Sequence, residues 1–124
     1  MESIVEKSTY ENYEIFIVEN NSTTEEIKEL YIKQTENYDF IKVVSFEGKF
    51  NYSAVNNLGV TYASGDYILL LNNDTEIINE DCLEELLGYC TRSDVGAVGD
   101  RLYYEDDTIQ HAGVVIGFGG IAGH

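Results

Sequence analysis

A chain of 124 residues is the size of one domain, and 44% apolar content is enough to build a buried core. Seven basic residues stand against 23 acidic ones, a formal net charge of -16, which argues against a nucleic-acid partner because a phosphate polymer would be repelled. No apolar run reaches the ~18 residues of a membrane span, and the first ten residues lack the apolar stretch of a signal peptide, so the expectation is a cytoplasmic chain with no membrane span.

Tyr13-Glu14-Ile15-Phe16-Ile17-Val18 is a short apolar run that predicts a buried strand, ended by the turn formers Glu19-Asn20-Asn21. Ser22-Thr23-Thr24-Glu25 fits a capping box with Ser22 as N-cap, and Ile27, Leu30 and Tyr31 carry a helix to about Glu36. Phe40 to Phe46 predicts a second strand, broken at Gly48. Asn51 is placed to cap a helix with Val55, Leu58 and Tyr62 on its apolar face, and Gly65 is expected to end it. Tyr67-Ile68-Leu69-Leu70-Leu71 has no polar alternation, which predicts a central parallel strand buried on both faces and ending at Asn72-Asn73-Asp74. Leu83, Leu86, Leu87 and Cys90 mark a third helix, Val95-Gly96-Ala97-Val98 a fourth strand, and the stretch from Thr108 to His124 a weakly alternating, glycine-rich tail.

Strands alternating with helices predict an α/β, Rossmann-like, mostly parallel sheet with helices on both faces. Cys82 and Cys90 fall on one helix, roughly 12 Å of rise apart, too far for a disulfide, and are expected as free thiols. In an open α/β sheet ligands bind beyond the carboxyl ends of the strands. Two polar clusters fall there: Glu19-Asn20-Asn21-Ser22 and Asn72-Asn73-Asp74-Thr75-Glu76. Carboxylate and amide oxygens on a tight turn suit Mg²⁺ or Mn²⁺, which are held by one or two carboxylates together with substrate phosphates. The same residues also read as turns and helix caps, and spacing alone leaves both readings open. With so acidic a chain, an anionic ligand needs a cation or a local set of donors. Gly117-Phe118-Gly119-Gly120 is not a dinucleotide fingerprint, because no strand-to-helix turn of that spacing contains it.

Val18-Glu19-Asn20-Asn21-Ser22-Thr23, Asn56-Asn57-Leu58-Gly59, Gly65-Asp66-Tyr67-Ile68-Leu69-Leu70-Leu71-Asn72-Asn73-Asp74 and Ile109-Gln110-His111-Ala112-Gly113 occur in that order. Together they resemble the family 2 glycosyltransferases of GT-A fold, in particular the bacterial rhamnosyl- and polysaccharide-type members, from about Tyr10 to the end. The resemblance implies a nucleotide-diphosphate-sugar donor, a divalent metal (Mn²⁺ or Mg²⁺) and inversion at the anomeric carbon. It implies Glu19 and Asn21 as nucleotide contacts, with Glu19 standing where the family usually carries Asp. Asn57 matches an asparagine of the donor-facing helix. Asn72 takes the first position of the family's Asp-x-Asp as a ribose or sugar contact, and Asp74 the last as metal ligand. His111 is a further metal-ligand candidate, with a structural role in its strand as the alternative.

Measured against that family, residues 1–124 correspond to a partial domain. The family's first strand lies before the match and the acceptor half, with its catalytic base, after it, so no catalytic residue is assigned. A sheet without that strand would have unpaired edges, which implies a homodimer or a rearranged sheet. A non-catalytic nucleotide-sugar-binding remnant is the alternative reading. A response-regulator-like signalling domain fits less well, because Lys7, Lys28, Lys33, Lys42 and Lys49 all precede the Asn72-Asn73-Asp74 cluster.

Overall fold

The structure is a computed structural model that describes residues 1–20, 24–116 and 122–123. The chain divides into two compact units, one of Met1 and Tyr10–Glu76, the other of Glu2–Thr9 and Ile77–His124.

The first unit is built on a strand-helix-strand-helix run: β1 (Ile15–Glu19), α2 (Glu25–Asn37), β2 (Ile41–Ser45) and α3 (Tyr52–Tyr62). Helix α1 (Glu2–Lys7) precedes them in sequence and belongs to the second unit. β1 and β2 pair in parallel, in register from Ile15↔Ile41 to Glu19↔Ser45. Parallel neighbours need a crossover, and α2 supplies it. Seven of the ten strand residues are β-branched or aromatic, as suits a parallel pair covered by helices. Alternation puts Phe16, Val18, Lys42 and Val44 on one face. α3 lies against that face. A Cβ added at Gly59 would come within 2.9 Å of Val18 Cγ2. The Phe16 and Tyr62 rings are 6.4 Å apart, and Lys42 Nζ sits 5.6 Å from the Phe16 ring centroid. Ile15, Ile17, Ile41 and Val43 point to the opposite face, and α2 packs on β2. Ile41 is only 2% exposed. An aromatic trio closes the amino ends of the strands, with Tyr13 edge-on to Phe40 at 5.4 Å and Tyr38 also 5.4 Å from Phe40.

The α/β class and the parallel pair with its helices are as the sequence predicts. Individual elements differ. α2 starts at Glu25 with Thr24 as its N-cap, and that residue makes no side-chain capping bond. Glu25 and Glu26 sit in the first turn, where the helix dipole favours negative charge. The predicted cap Ser22, with Asn21 and Thr23, lies outside the described residues, as do residues 117–121 and His124.

At α3 the predicted cap is present. Asn51 is extended and its Oδ1 accepts the Ala54 amide at 3.0 Å. Asn51→Ala is therefore expected to lower stability by about 1 kcal/mol in a urea titration, with the m-value unchanged. The helix ends earlier than Gly65, at Tyr62, where Ala63 turns extended. The cause lies outside the helix. The Ser64 amide, which a longer helix would direct at Val60 O, donates instead to Glu14 Oε1 at 2.6 Å, and Ser64 Oγ donates to the same oxygen at 2.8 Å.

The main correction concerns residues 67–71. They form no strand, and each side chain is about half exposed, from Leu71 at 44% to Leu70 at 55%. An apolar run becomes a buried strand only when neighbours take up its backbone groups, and among the described residues none pairs with it. Val95–Val98 is likewise not a strand, with Gly96 and Ala97 exposed.

In the second unit α1 is tied down by polar bonds and one apolar contact zone. Ile4 and Ile77 are buried, the Ile77 amide donates to Ser3 Oγ at 3.1 Å, and Lys7 Nζ donates to Ile77 O at 3.1 Å. Thr9 Oγ1 donates to Glu84 Oε1 at 2.6 Å, near the start of α4 (Cys82–Cys90). Both cysteines are free thiols. Cys82 Sγ donates to Asp100 Oδ2 at 3.0 Å; burial first, then the Asp100 carboxylate, pushes the thiol up to about 12, so it is an inert donor at neutral pH. The expected weakly alternating tail is more ordered than its composition suggests. β3 (Leu102–Tyr103) and β4 (Ile109–His111) form an antiparallel hairpin, and β5 (Val115–Ile116) pairs antiparallel with β6 (Ala122–Gly123). The first hairpin turns through Asp107, whose φ of 65° is tolerable for Asp, while Asp106 Oδ1 accepts the Thr108 amide and hydroxyl at 3.1 and 2.6 Å.

Candidate functional site

The carboxyl ends of β1 and β2 lie side by side, because the ladder is parallel and ends at Glu19↔Ser45. Beyond that pair the chains stay joined. The Phe46 amide donates to Glu19 O at 2.8 Å. Asn20 Nδ2 donates to Phe46 O at 3.2 Å and to Gly48 O at 3.3 Å. Gly48 has a φ of 117°, a conformation that an L side chain rarely adopts, so this loop geometry requires glycine. Glu19 itself is half-buried and shares the strand face of Ile15 and Ile17. Asn21 lies outside the described residues.

Asn57 is exposed on α3, between the half-buried Asn56 and Leu58. It is two residues from Gly59, which meets Val18, so it lies roughly 200° around the helix and faces away from β1. Its neighbour Asn56 donates to Tyr52 O at 2.8 Å within the helix. Asn72 and Asp74 sit exposed on the turn after residues 67–71, and Thr75 Oγ1 donates to Asn72 O at 2.7 Å, which closes that turn. The Asp74 carboxylate takes no hydrogen bond among the described residues. His111 ends β4 opposite Leu102, half-exposed, in the second unit, whereas Asp74 is in the first.

Among the described residues no three His, Cys, Asp or Glu side chains gather around a common point. Asp74 is one carboxylate on an exposed turn. That is an incomplete donor set, and it fits a hard cation whose remaining ligands are phosphate oxygens and water.

Two sets of contacts at the site were not legible in the sequence. Asn20 reads in sequence as a turn former, yet its amide bridges two loops. Glu14 reads as a polar interruption of a strand, yet it anchors the segment that leads to Asn72-Asn73-Asp74. The Ser64 amide, then the Ser64 hydroxyl, hold its carboxyl below the usual range. A depressed carboxyl contributes stability above its unfolded pKa of about 4.3 and loses it as pH falls through the lower folded value. Glu14→Gln is thus expected to show a shallower loss of stability than wild type below about pH 4.3, read from chemical denaturation at stepped pH.

A family profile described as "Glycosyl transferase family 2" matches residues 1–114. The chain belongs to that family. It is 43% identical over 125 residues to an uncharacterized protein of Sinorhizobium fredii (strain NBRC 101917 / NGR234), covering 100% of this chain and 14% of that protein. It is 40% identical over 124 residues to the O-antigen biosynthesis protein RfbC of Myxococcus xanthus, covering 100% of this chain and 10% of that protein. It is 29% identical over 104 residues to the glycosyltransferase GlyG of Streptococcus pneumoniae serotype 4 (strain ATCC BAA-334 / TIGR4), covering 82% of this chain and 33% of that protein. The family 2 chain thus spans a minor part of each of these relatives. No solved structure matches it. Among the described residues no helix is long and apolar enough to cross a membrane.

Proposed function

We propose that this family 2 chain binds the nucleotide end of a nucleotide-diphosphate sugar and serves a glycosyl transfer that builds a bacterial surface polysaccharide. The observation that carries the reading is the locked end of the parallel pair, where Glu19 and Asn20 meet the Phe46–Gly48 loop. Strand ends of this kind are where open α/β sheets take their ligands. The family match and the names of the Myxococcus and Streptococcus relatives support the reaction class.

In this reading Glu19 accepts hydrogen bonds from the base or ribose, Asn21 is a second nucleotide contact, and Asn72 contacts the ribose or sugar. Asn57, matched by the resemblance to the donor-facing helix, lies exposed on the side of α3 away from β1. In the transfer a general base takes the proton of the acceptor hydroxyl as its oxygen bonds to the anomeric carbon from the face opposite the leaving group. The bond from that carbon to the diphosphate oxygen breaks, and the electron pair leaves on the diphosphate, which gives inversion. Asp74 would hold Mg²⁺ or Mn²⁺, which when bound neutralises charge on the leaving diphosphate. The chain carries a net charge of -16, so a bare diphosphate is repelled and the cation is needed for binding as well as for departure. Nucleotide sugars are made in the cytoplasm, and the reading places the work there.

The test is thermal denaturation with UDP, dTDP and GDP, each with and without Mn²⁺. One of the three is expected to stabilise the chain in the presence of Mn²⁺, by about 2.7 kcal/mol at a hundred times its Kd. If none of the three shifts the transition, the proposal fails.

A further inference from the structure

Glu14 stands directly before β1 on a fixed piece of backbone. The Ile15 amide that follows it donates to Phe40 O at 2.8 Å, and the Tyr13 ring that precedes it lies edge-on to Phe40 at 5.4 Å. From this post the carboxylate reaches a residue fifty positions away. The Ser64 amide donates to Glu14 Oε1 at 2.6 Å, and the Ser64 hydroxyl donates to the same oxygen at 2.8 Å. Two donors of one residue on one oxygen fix its orientation as well as its distance.

The tie joins the starts of two runs of equal length. Ile15–Glu19 is five residues long and ends on Glu19. Tyr67–Leu71, separated from Ser64 by Gly65 and Asp66, is also five residues long and leads into Asn72. An extended residue spans at most about 3.4 Å, so neither run reaches more than roughly 17 Å from its start. Where the second run starts therefore bounds where its polar end can lie. Thr75 Oγ1, bonded to Asn72 O at 2.7 Å, closes the Asn72–Asp74 turn on itself and ties it to nothing else.

We infer that Glu14 is a positioning residue of the donor site: it pins the start of the run that carries Asn72 and Asp74, and so keeps that turn within reach of a nucleotide held at Glu19. The inference rests on the proposed nucleotide site. Glu14 acts through Ser64 and touches neither the nucleotide nor the cation. One donor has to meet Glu19 and Asp74 together. A turn whose run has lost its pinned start must be ordered as the donor binds, which weakens the cation-dependent contact and spares the contact at Glu19.

Isothermal titration of the 124-residue chain with UDP, dTDP and GDP, each with and without Mn²⁺, tests this on wild type, Glu14→Ala, Glu14→Gln and Ser64→Ala. The temperature is one at which far-UV circular dichroism shows each variant fully folded. Glu14→Ala is expected to weaken the Kd measured in Mn²⁺ by about tenfold and to leave the Kd measured without Mn²⁺ unchanged. Glu14→Gln keeps an oxygen acceptor for both Ser64 donors and is expected to retain most of the wild-type affinity. Ser64→Ala loses the hydroxyl bond and keeps the amide bond; it is expected to weaken binding in Mn²⁺ to a lesser degree, and it decides alone if Glu14→Ala does not fold. A purely structural Glu14 would lower the Tm of Glu14→Ala and leave the Kd of the folded chain in Mn²⁺ at the wild-type value; that result overturns the inference while the nucleotide site stands. A Glu14→Gln as weak as Glu14→Ala would put the effect in the charge rather than in the tie, and overturns it too. A wild type that binds none of the three nucleotides overturns the site itself, and the inference with it.

Discussion

Asp74→Ala is expected to abolish the Mn²⁺-dependent part of nucleotide binding, with a loss of about 100-fold, or ~2.7 kcal/mol. The size follows from how little else the turn offers. Among the described residues no cluster of three His, Cys, Asp or Glu donors forms, so a cation recruited here depends on this carboxylate and on the ligand's own phosphates. Asp74 is exposed at the turn after residues 67–71, and its removal leaves no cavity and breaks no core contact. The Tm of the nucleotide-free variant is therefore expected to stay within about a degree or two of wild type, as for most surface substitutions. Asp74→Asn keeps an oxygen donor but loses the charge, and falls between the two. Titrations with and without Mn²⁺ read the effect directly. Equal Kd values for wild type and Asp74→Ala in Mn²⁺ would mean that Asp74 only shapes the turn.

The second large effect concerns residues 67–71. Five consecutive apolar side chains at 44–55% exposure, with no ladder partner among the described residues, are a strand in composition and an exposed apolar stretch in structure. The chain is expected to self-associate as its concentration rises, with a second copy covering this stretch. The net charge of -16 opposes that association, so raising the salt concentration should strengthen it by screening the repulsion. Leu69→Asp and Leu70→Asp each remove an apolar contact worth about 1.5–3 kcal/mol when buried, and should return the chain to monomer. Sedimentation velocity across a concentration series at low and high salt reads all of this. A wild type that remains monomeric at high concentration and high salt would show that the stretch is not a pairing surface between copies.

What could be read from the sequence divides along the range of the interactions involved. β1, α2, β2 and α3 follow from runs of apolar residues and from local caps such as Asn51, whose partner Ala54 is three positions away. Each such element carries most of its signal within itself. Residues 67–71 have the same local signal but no neighbour to pair with, and the burial expected of them does not appear. The early end of α3 depends on Glu14, fifty positions from Ser64, a relation that no local pattern contains. The hairpin of β3 and β4 escaped notice because its strands are two and three residues long, too short for alternation to register.

The site shows the same division. Glu19 and Asp74 were singled out in the sequence because acidic and amide residues that follow an apolar run have a chemical meaning on their own. Asn20 was absorbed into a turn because its two acceptors, Phe46 and Gly48, come from the next strand's loop. Asn57 matches a family asparagine by its neighbours in sequence, and helix geometry sets it on the side of α3 away from β1.

The central claim is that the nucleotide binds at the carboxyl end of the parallel pair and at the turn of Asp74. Backbone amide chemical shifts of the ¹⁵N-labelled chain, recorded during titration with UDP, dTDP and GDP in the presence of Mg²⁺, test it most directly. The account predicts saturable shifts at Glu19, Asn20 and Phe46–Gly48, and at Asn72–Asp74, with the second group lost in Asp74→Ala. Shifts confined to residues of the second unit, or no shifts with any nucleotide, would contradict it.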